Sequence, residues 1–267
     1  MNISIVYVSC FMYRNLWRPF LELKLKYIGD KIPFYLCTDG PIDEILKITP
    51  GVNVLHFDKP ANNNTNYITR LIHYLKKVDT KYVLFWYDDM FPTDTVRWPI
   101  VEEIYAHMES NPTVKLVKCS IHSSPFRGNT YTIGTNVFTQ SSPSDGYVMN
   151  VQPTVFDRTF LLDVMEEVDR STVKNGPSDF ETIGTEIAIR KGYVYLKSQT
   201  DIIPVFGDGG VVRAGILLPE ANEFLKNHNI HVETYAKNCI YDVYDKANTD
   251  TLNDQLKLEL RWFNIHV

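Results

Sequence analysis

The chain has 267 residues, 44% of them apolar, which is ample for one large packed domain or two small ones. A formal charge of −5 without any extended run of Lys or Arg argues against a nucleic-acid partner. The four cysteines are far apart, with no Cys-x-x-Cys pair and no Cys/His cluster of zinc spacing, and Cys10, Cys37 and Cys119 adjoin apolar runs; buried free thiols in a reducing, cytoplasmic compartment are expected.

The first run, "ISIVYV" (3–8), is too short to span a membrane and lacks the basic flank of a signal peptide, and no later stretch reaches spanning length. "WRPFLELKLKYIG" reads as a helix with Pro19 in its first turn. The apolar runs "IPFYLC" (32–37) and "VNVLHF" (52–57) follow as strands. In "NYITRLIHYLKKV", Ile68, Leu71, Ile72, Leu75 and Val78 recur at steps of three and four, the spacing of one helical face. Next come the strand "YVLFWY" (82–87), a helix in "TVRWPIVEEIYAHMES" with Pro99 in its first turn, and the strand "VKLVKC" (114–119). Continuous apolar strands separated by helices imply a mainly parallel sheet covered on both faces.

Beyond residue 120, "HSSPFRGNTYTIGTNVFTQSSPSDGY" carries turn chemistry and predicts loops or short hairpin strands. "FDRTFLLDVMEEV" and "SDFETIGTEIAIRKG" predict helices, "YVYLKS" a strand and "VFGDGGVVRAG" a Gly-rich loop. "DTLNDQLKLELRWF" predicts a terminal amphipathic helix; Leu252, Leu256, Leu260 and Phe263 share a face that packs on the domain or forms a homodimer contact. With no internal repeat or low-complexity linker, one domain is expected over 1–267.

In an open α/β sheet, ligands bind outside the carboxyl ends of the strands. Ser9 ends the first strand, Thr38, Asp39 and Gly40 the second, and Asp88 and Asp89 the run "YVLFWY". Parallel strands would deliver these groups to one rim. Two adjacent carboxylates repel unless a cation joins them, and Mg²⁺ or Mn²⁺ is commonly held by one or two carboxylates together with substrate phosphates. The plainer alternative is that the pair only begins a turn, with Asp94 capping the helix that comes next.

"KYVLFWYDDMF", after the helix "NNTNYITRLIHYLKKVDT", resembles the central segment of GT-A-fold glycosyltransferases, in which a strand ends in an Asp-x-Asp-type motif. "NVQPTVFDRTFLLDVM" and "PSDFETIGTEIAIRKGY" are similar to sugar- and acceptor-side segments of small bacterial surface-polysaccharide and large-DNA-virus glycosyltransferases. The resemblance covers roughly residues 1 to 215. It implies an α/β, GT-A-like, Rossmann-related fold with a nucleotide-binding half (1–120), a sugar and acceptor half (121–218) and a helical extension (219–267). It further implies a nucleotide-diphosphate sugar donor, a glycan acceptor and Mn²⁺ or Mg²⁺. "CTDG" falls where such enzymes contact the nucleoside, and Gln152 becomes a partner for a sugar hydroxyl. The acids here are adjacent rather than alternating; Asp89 is the expected metal ligand, with Asp88 turned to the ribose or to a second metal contact. The third protein ligand is unassigned, His266 being available.

Inverting transfer needs a base for the acceptor hydroxyl. Glu181 and Asp179 are the candidates, although Ser178-x-x-Glu181 also reads as a capping box. Arg70 sits at the margin of its helix's apolar face, where a solvated position is the commoner one and a phosphate or strand-end acid is within reach. Arg213 lies in the Gly-rich loop, whose amides can approach an anion. Two rivals remain: a sugar-phosphate nucleotidyltransferase, disfavoured because "SCFMYRNLWRP" after the first strand has no glycine, and a catalytically silent nucleotide- or glycan-binding module.

Overall fold

Alternate residues of the apolar runs point to opposite faces of one sheet, and each face has its own core. In β1 (Ile3–Val8), Ile3, Ile5 and Tyr7 join one core while Val6 and Val8 join the other. The computed structural model describes residues 1–58, 67–122, 125–171, 176–207, 210–213 and 216–231. The expected terminal helix with its dimer contact, Cys239 and His266 lie outside the described residues.

A six-residue 3-10 segment, Phe11–Leu16, leads from β1 into α1 (Trp17–Tyr27), where Pro19 is tolerated in the first turn. β2 (Phe34–Asp39), α2 (Ile42–Ile48), β3 (Asn53–Phe57), α3 (Tyr67–Lys77) and β4 (Tyr82–Tyr87) come next. α4 (Trp98–Ser110) has Pro99 in its first turn and precedes β5 (Val114–Lys118). Asp94 does not cap it: the Asp94 carboxylate accepts from the adjacent Thr95 N–H, and the residue before the helix is Arg97. The Ser/Thr-rich stretch forms the hairpin β6 (Thr130–Ile133) and β7 (Asn136–Gln140). Then come β8 (Thr154–Asp157), α5 (Arg158–Ser171), α6 (Pro177–Lys191) and β9 (Val194–Ser198). Two short antiparallel strands, β10 (Val212–Arg213) and β11 (Ile216–Leu217), and α7 (Pro219–Asn227) complete the described chain.

Among the described residues the sheet has nine strands, in the order β3-β2-β1-β4-β8-β5-β9-β7-β6. β3, β2, β1 and β4 are mutually parallel, as the sequence predicts for this half. β8 then runs antiparallel between β4 and β5, β9 is parallel to β5, and the hairpin joins β9 antiparallel. The fold is thus α/β, with a parallel half joined to a mixed half through one reversed strand. α1 and α4 cover one face, and α3, α5 and α6 the other. Ile68, Leu71 and Leu75 of α3 are fully buried, each contributing about 1.5–3 kcal/mol by leaving water.

The reversal of β8 has a consequence for the rim. Because this strand runs against β4 and β5, the segment leading into it, 147–153, starts at the edge where β1, β2 and β4 end. Structural ion pairs and hydrogen bonds occupy the opposite edge: Lys115 Nζ meets Asp157 Oδ2 at 2.8 Å, and the Arg158 guanidinium donates to the Thr80 and Leu75 carbonyls. The three described cysteines are free thiols, with Cys37 and Cys119 buried and Cys10 partly so.

Candidate functional site

The carboxyl ends of β1, β2 and β4 bring Ser9, Asp39 and Asp88 to one rim. Ser9 Oγ donates to Asp88 Oδ2 at 2.6 Å and accepts from Trp17 Nε1–H at 2.7 Å. Asp39 Oδ1 accepts from the Phe11 N–H at 2.8 Å, tying the start of the 3-10 segment to the end of β2. Gly40 sits directly beneath the Phe11 ring, where a Cβ would come within 2.5 Å, and its φ of +97° suits glycine alone. Thr38, the residue before Asp39 in β2, is wholly buried.

Arg70 is not on the solvated surface that its place in the helix suggests. It is 7% exposed, and its Nη1 stands 3.7 Å from Asp39 Oδ1. Among the described residues its Nε and Nη1 have no hydrogen-bond partner although both are buried, and the same holds for the phenolic oxygens of Tyr67 and Tyr87. Buried donors without partners are rare and costly, about 1–3 kcal/mol each. Arg70 thus keeps donors unused beside its ion-pair partner Asp39.

Asp88 and Asp89 differ in their surroundings. Asp88 is committed to Ser9, and burial raises its pKa, opposed by that hydrogen bond, by backbone amides and by the Arg70 charge. Among the described residues no side chain anchors Asp89 in this way: its own backbone amide acts on the carboxylate, and its Oδ1 is buried with no hydrogen-bond partner. Burial, then the neighbouring Asp88 charge, then that of Glu181 push its pKa up as well. Among the described residues no group of three or more His, Cys, Asp or Glu is arranged to hold a metal. A pair of carboxylates with one free oxygen nevertheless fits Mg²⁺ or Mn²⁺, which rely on one or two carboxylates and complete their shell from substrate and water.

A return segment closes over this tip. The Phe206 N–H donates to the Phe91 carbonyl at 2.9 Å, and the Val211 N–H to the Asp89 carbonyl at 2.7 Å. Gly210, at φ +73°, rests on Asp89 itself; a Cβ there would lie 2.7 Å from the carboxylate. Arg213 enters through its backbone, paired with Ile216 in the short β10–β11 ladder.

Beside the tip lies a cleft of about 320 Å³ lined by Met90, His122, Tyr147, Asn150, Val151, Gln152 and Glu181. Gln152 donates from Nε2 to the His122 carbonyl at 3.0 Å, which leaves its Oε1 buried and unpartnered. Glu181 stands in the first turns of α6. Burial raises its pKa, with the Val151 amide hydrogen bond and the Lys118 charge opposing. The expected Ser178–Glu181 capping box does not form. The residue before the helix is Gly176, and its N–H donates to Asp179 Oδ2 at 3.0 Å, while glycine has no side chain to return the bond. The helix starts earlier than the motif suggests because Pro177 occupies its first position. Asp179 therefore does the capping, and Glu181 is left to face the cleft.

Two residues of this region escape sequence reading. Lys118, at the end of β5, is wholly buried, with Nζ donating to the Tyr147 carbonyl and lying 4.6 Å from the centre of the Phe126 ring. Burial, helped by the Lys197 charge, lowers its pKa to about 7, against the pull of Glu181 and Asp145. Its one signal in the sequence is a lysine closing an apolar strand. Tyr147 falls in a stretch whose composition predicts loop.

No protein-family model matches the chain, and no curated protein matches it. Among solved structures it is similar to S. aureus TarS 1–349 in complex with UDP-GlcNAc, at 11% identity and a TM-score of 0.45, over 85% of this chain and 65% of that one. Against TarS 1–349 alone the values are 12% and 0.45, over 77% and 59%, so the chain spans less than two thirds of that fragment. It is also similar to CMP:2-keto-3-deoxy-manno-octonic acid synthetase complexed with CTP, at 13% identity and a TM-score of 0.43, over 76% of this chain and 94% of that one. Likenesses this distant assign no reaction to the chain.

Proposed function

We propose that the protein is a glycosyltransferase that moves a sugar from a nucleotide-diphosphate donor to a hydroxyl of a glycan, with inversion and with Mn²⁺ or Mg²⁺. The observation that carries this reading is Asp89 Oδ1, a buried carboxylate oxygen without a partner, at the carboxyl end of a central strand and beside a cleft that holds a second raised acid, Glu181. In this reading Asp89 holds the metal and Asp88, fixed by Ser9, orients it or meets the ribose. A bound divalent cation would neutralise the departing diphosphate. Arg70 offers its spare donors to the nucleotide end, and Asp39 stands beside it for the nucleoside. Gln152 Oε1 accepts from a sugar hydroxyl. Glu181 takes the proton of the acceptor hydroxyl as that oxygen bonds to the anomeric carbon and the bond from that carbon to the diphosphate oxygen breaks. A carboxylate whose pKa is raised by burial is a stronger base for this step, worth roughly 10²–10⁴-fold.

The test is thermal shift with UDP-, GDP- and TDP-sugars, with and without Mn²⁺, followed by assays of donor hydrolysis and transfer. Metal-dependent stabilisation by one donor class, lost in Asp89→Ala, is expected. If no nucleotide stabilises the protein and Asp89→Ala behaves as wild type, the proposal fails. Pyrophosphate release from a nucleoside triphosphate and a sugar phosphate would replace it with nucleotidyl transfer, and binding without turnover with a silent module.

A further inference from the structure

Tyr147 has no part in the donor chemistry, yet its conformation is unusual. Its φ of +56° lies in the left-handed region that bulky side chains avoid. The chain around it is held inward. Val148 and Met149 are fully buried, and the Met149 N–H donates to Thr185 Oγ1 at 3.0 Å. The buried Asp145 carboxylate accepts from the Ser142 N–H at 2.7 Å and the Arg127 N–H at 3.1 Å. The carbonyl of Tyr147 itself receives the buried Lys118 ammonium. Tyr147 itself is 49% exposed. It lines the cleft together with Gln152 and Glu181.

Backbone held in a disfavoured region by its neighbours, so as to present one side chain to a cleft, points to use of that side chain. An aromatic face offers apolar area and a negative quadrupole, which suits the C–H face of a pyranose, while the polar groups beside it take the hydroxyls. The cleft puts Tyr147 and Glu181 on one lining, so its occupant stands beside the proposed base. We propose that Tyr147 is the stacking platform for the acceptor sugar. Its identity as acceptor, rather than simply a bound glycan, rests on the glycosyltransferase reading.

The test uses methyl β-glucopyranoside, methyl β-galactopyranoside, methyl α-mannopyranoside and methyl N-acetyl-β-glucosaminide as probes, detected by saturation-transfer NMR with UDP and Mn²⁺ present. At least one probe should bind wild type, keep its affinity in Tyr147→Phe and weaken about five- to tenfold in Tyr147→Gly. Glycine accepts the positive φ freely, so Tyr147→Gly should also keep or raise the melting temperature, which a purely structural tyrosine would not do. The proposal is overturned if no probe binds wild type, or if Tyr147→Gly binds as well as wild type does. Nucleotide-dependent thermal shifts on the same samples separate the two proposals. Probe binding that depends on Tyr147, with no nucleotide response, would sink the transferase reading and leave a sugar platform.

Discussion

Ser9 and Asp88, 79 residues apart in the chain, are joined by a 2.6 Å hydrogen bond that ties the end of the first strand to the end of the fourth. That bond separates two adjacent acids. It occupies one oxygen of Asp88 and leaves Asp89, which has no such tether, with its free oxygen. Trp17 extends the arrangement by donating its indole N–H to the same hydroxyl.

Replacing the hydroxyl should be felt in stability. Ser9→Ala strands the Trp17 indole N–H and removes a donor from a buried carboxylate. A loss of about 1–3 kcal/mol is expected, read by urea denaturation. A change within about 0.5 kcal/mol, the range of ordinary surface substitutions, would show that water replaces the hydroxyl at no cost.

Burial raises the pKa of both acids at the tip, and the sign of the resulting pH effect is fixed. A carboxyl with a raised folded pKa binds more protons folded than unfolded, so its contribution is complete below the unfolded pKa of about 4 and is lost as pH rises into the neutral range. Without divalent metal, Asp89→Asn should match wild type near pH ~4 and exceed its melting temperature increasingly towards pH ~8. Thermal melts in EDTA across that range check this. A variant less stable than wild type at the alkaline end would mean that the charged pair is not strained.

The two acids of α6 should separate cleanly by substitution. Asp179→Ala removes the acceptor of the Gly176 N–H and should cost about 1 kcal/mol of stability. Glu181→Gln should fold with little change and retain nucleotide binding, while losing roughly 10²–10⁴-fold in transfer. The reverse pattern, with activity lost in Asp179→Ala and kept in Glu181→Gln, would exchange their roles.

The parallel half of the sheet is legible because its strands are uninterrupted apolar runs and its α3 helix carries clear three-and-four spacing. β8 is not, since four residues between a loop and a helix make no periodic pattern. Ser9, Asp39 and Asp88 meet as their places at strand ends predict, but the burial of Arg70 depends on Asp39, a partner from another element that local spacing cannot reveal. For the same reason the capping role belongs to Asp179: Ser178-x-x-Glu181 fits the motif, and only the position of Pro177 moves the helix start. Lys118 and Tyr147 are tied to each other across 29 residues, a relation that no single segment displays.

The segment that returns over Asp89 has one further implication. Its amide at Val211 is bound to the Asp89 carbonyl, and Gly210 packs so near that a Cβ there would lie 2.7 Å from the carboxylate. Any ligand whose affinity depends on how Asp89 is held therefore shares a free energy with this crossing segment. Linkage makes the dependence mutual: whatever a ligand on Asp89 does to the docking of this segment, the docking does to the affinity of the ligand by the same factor.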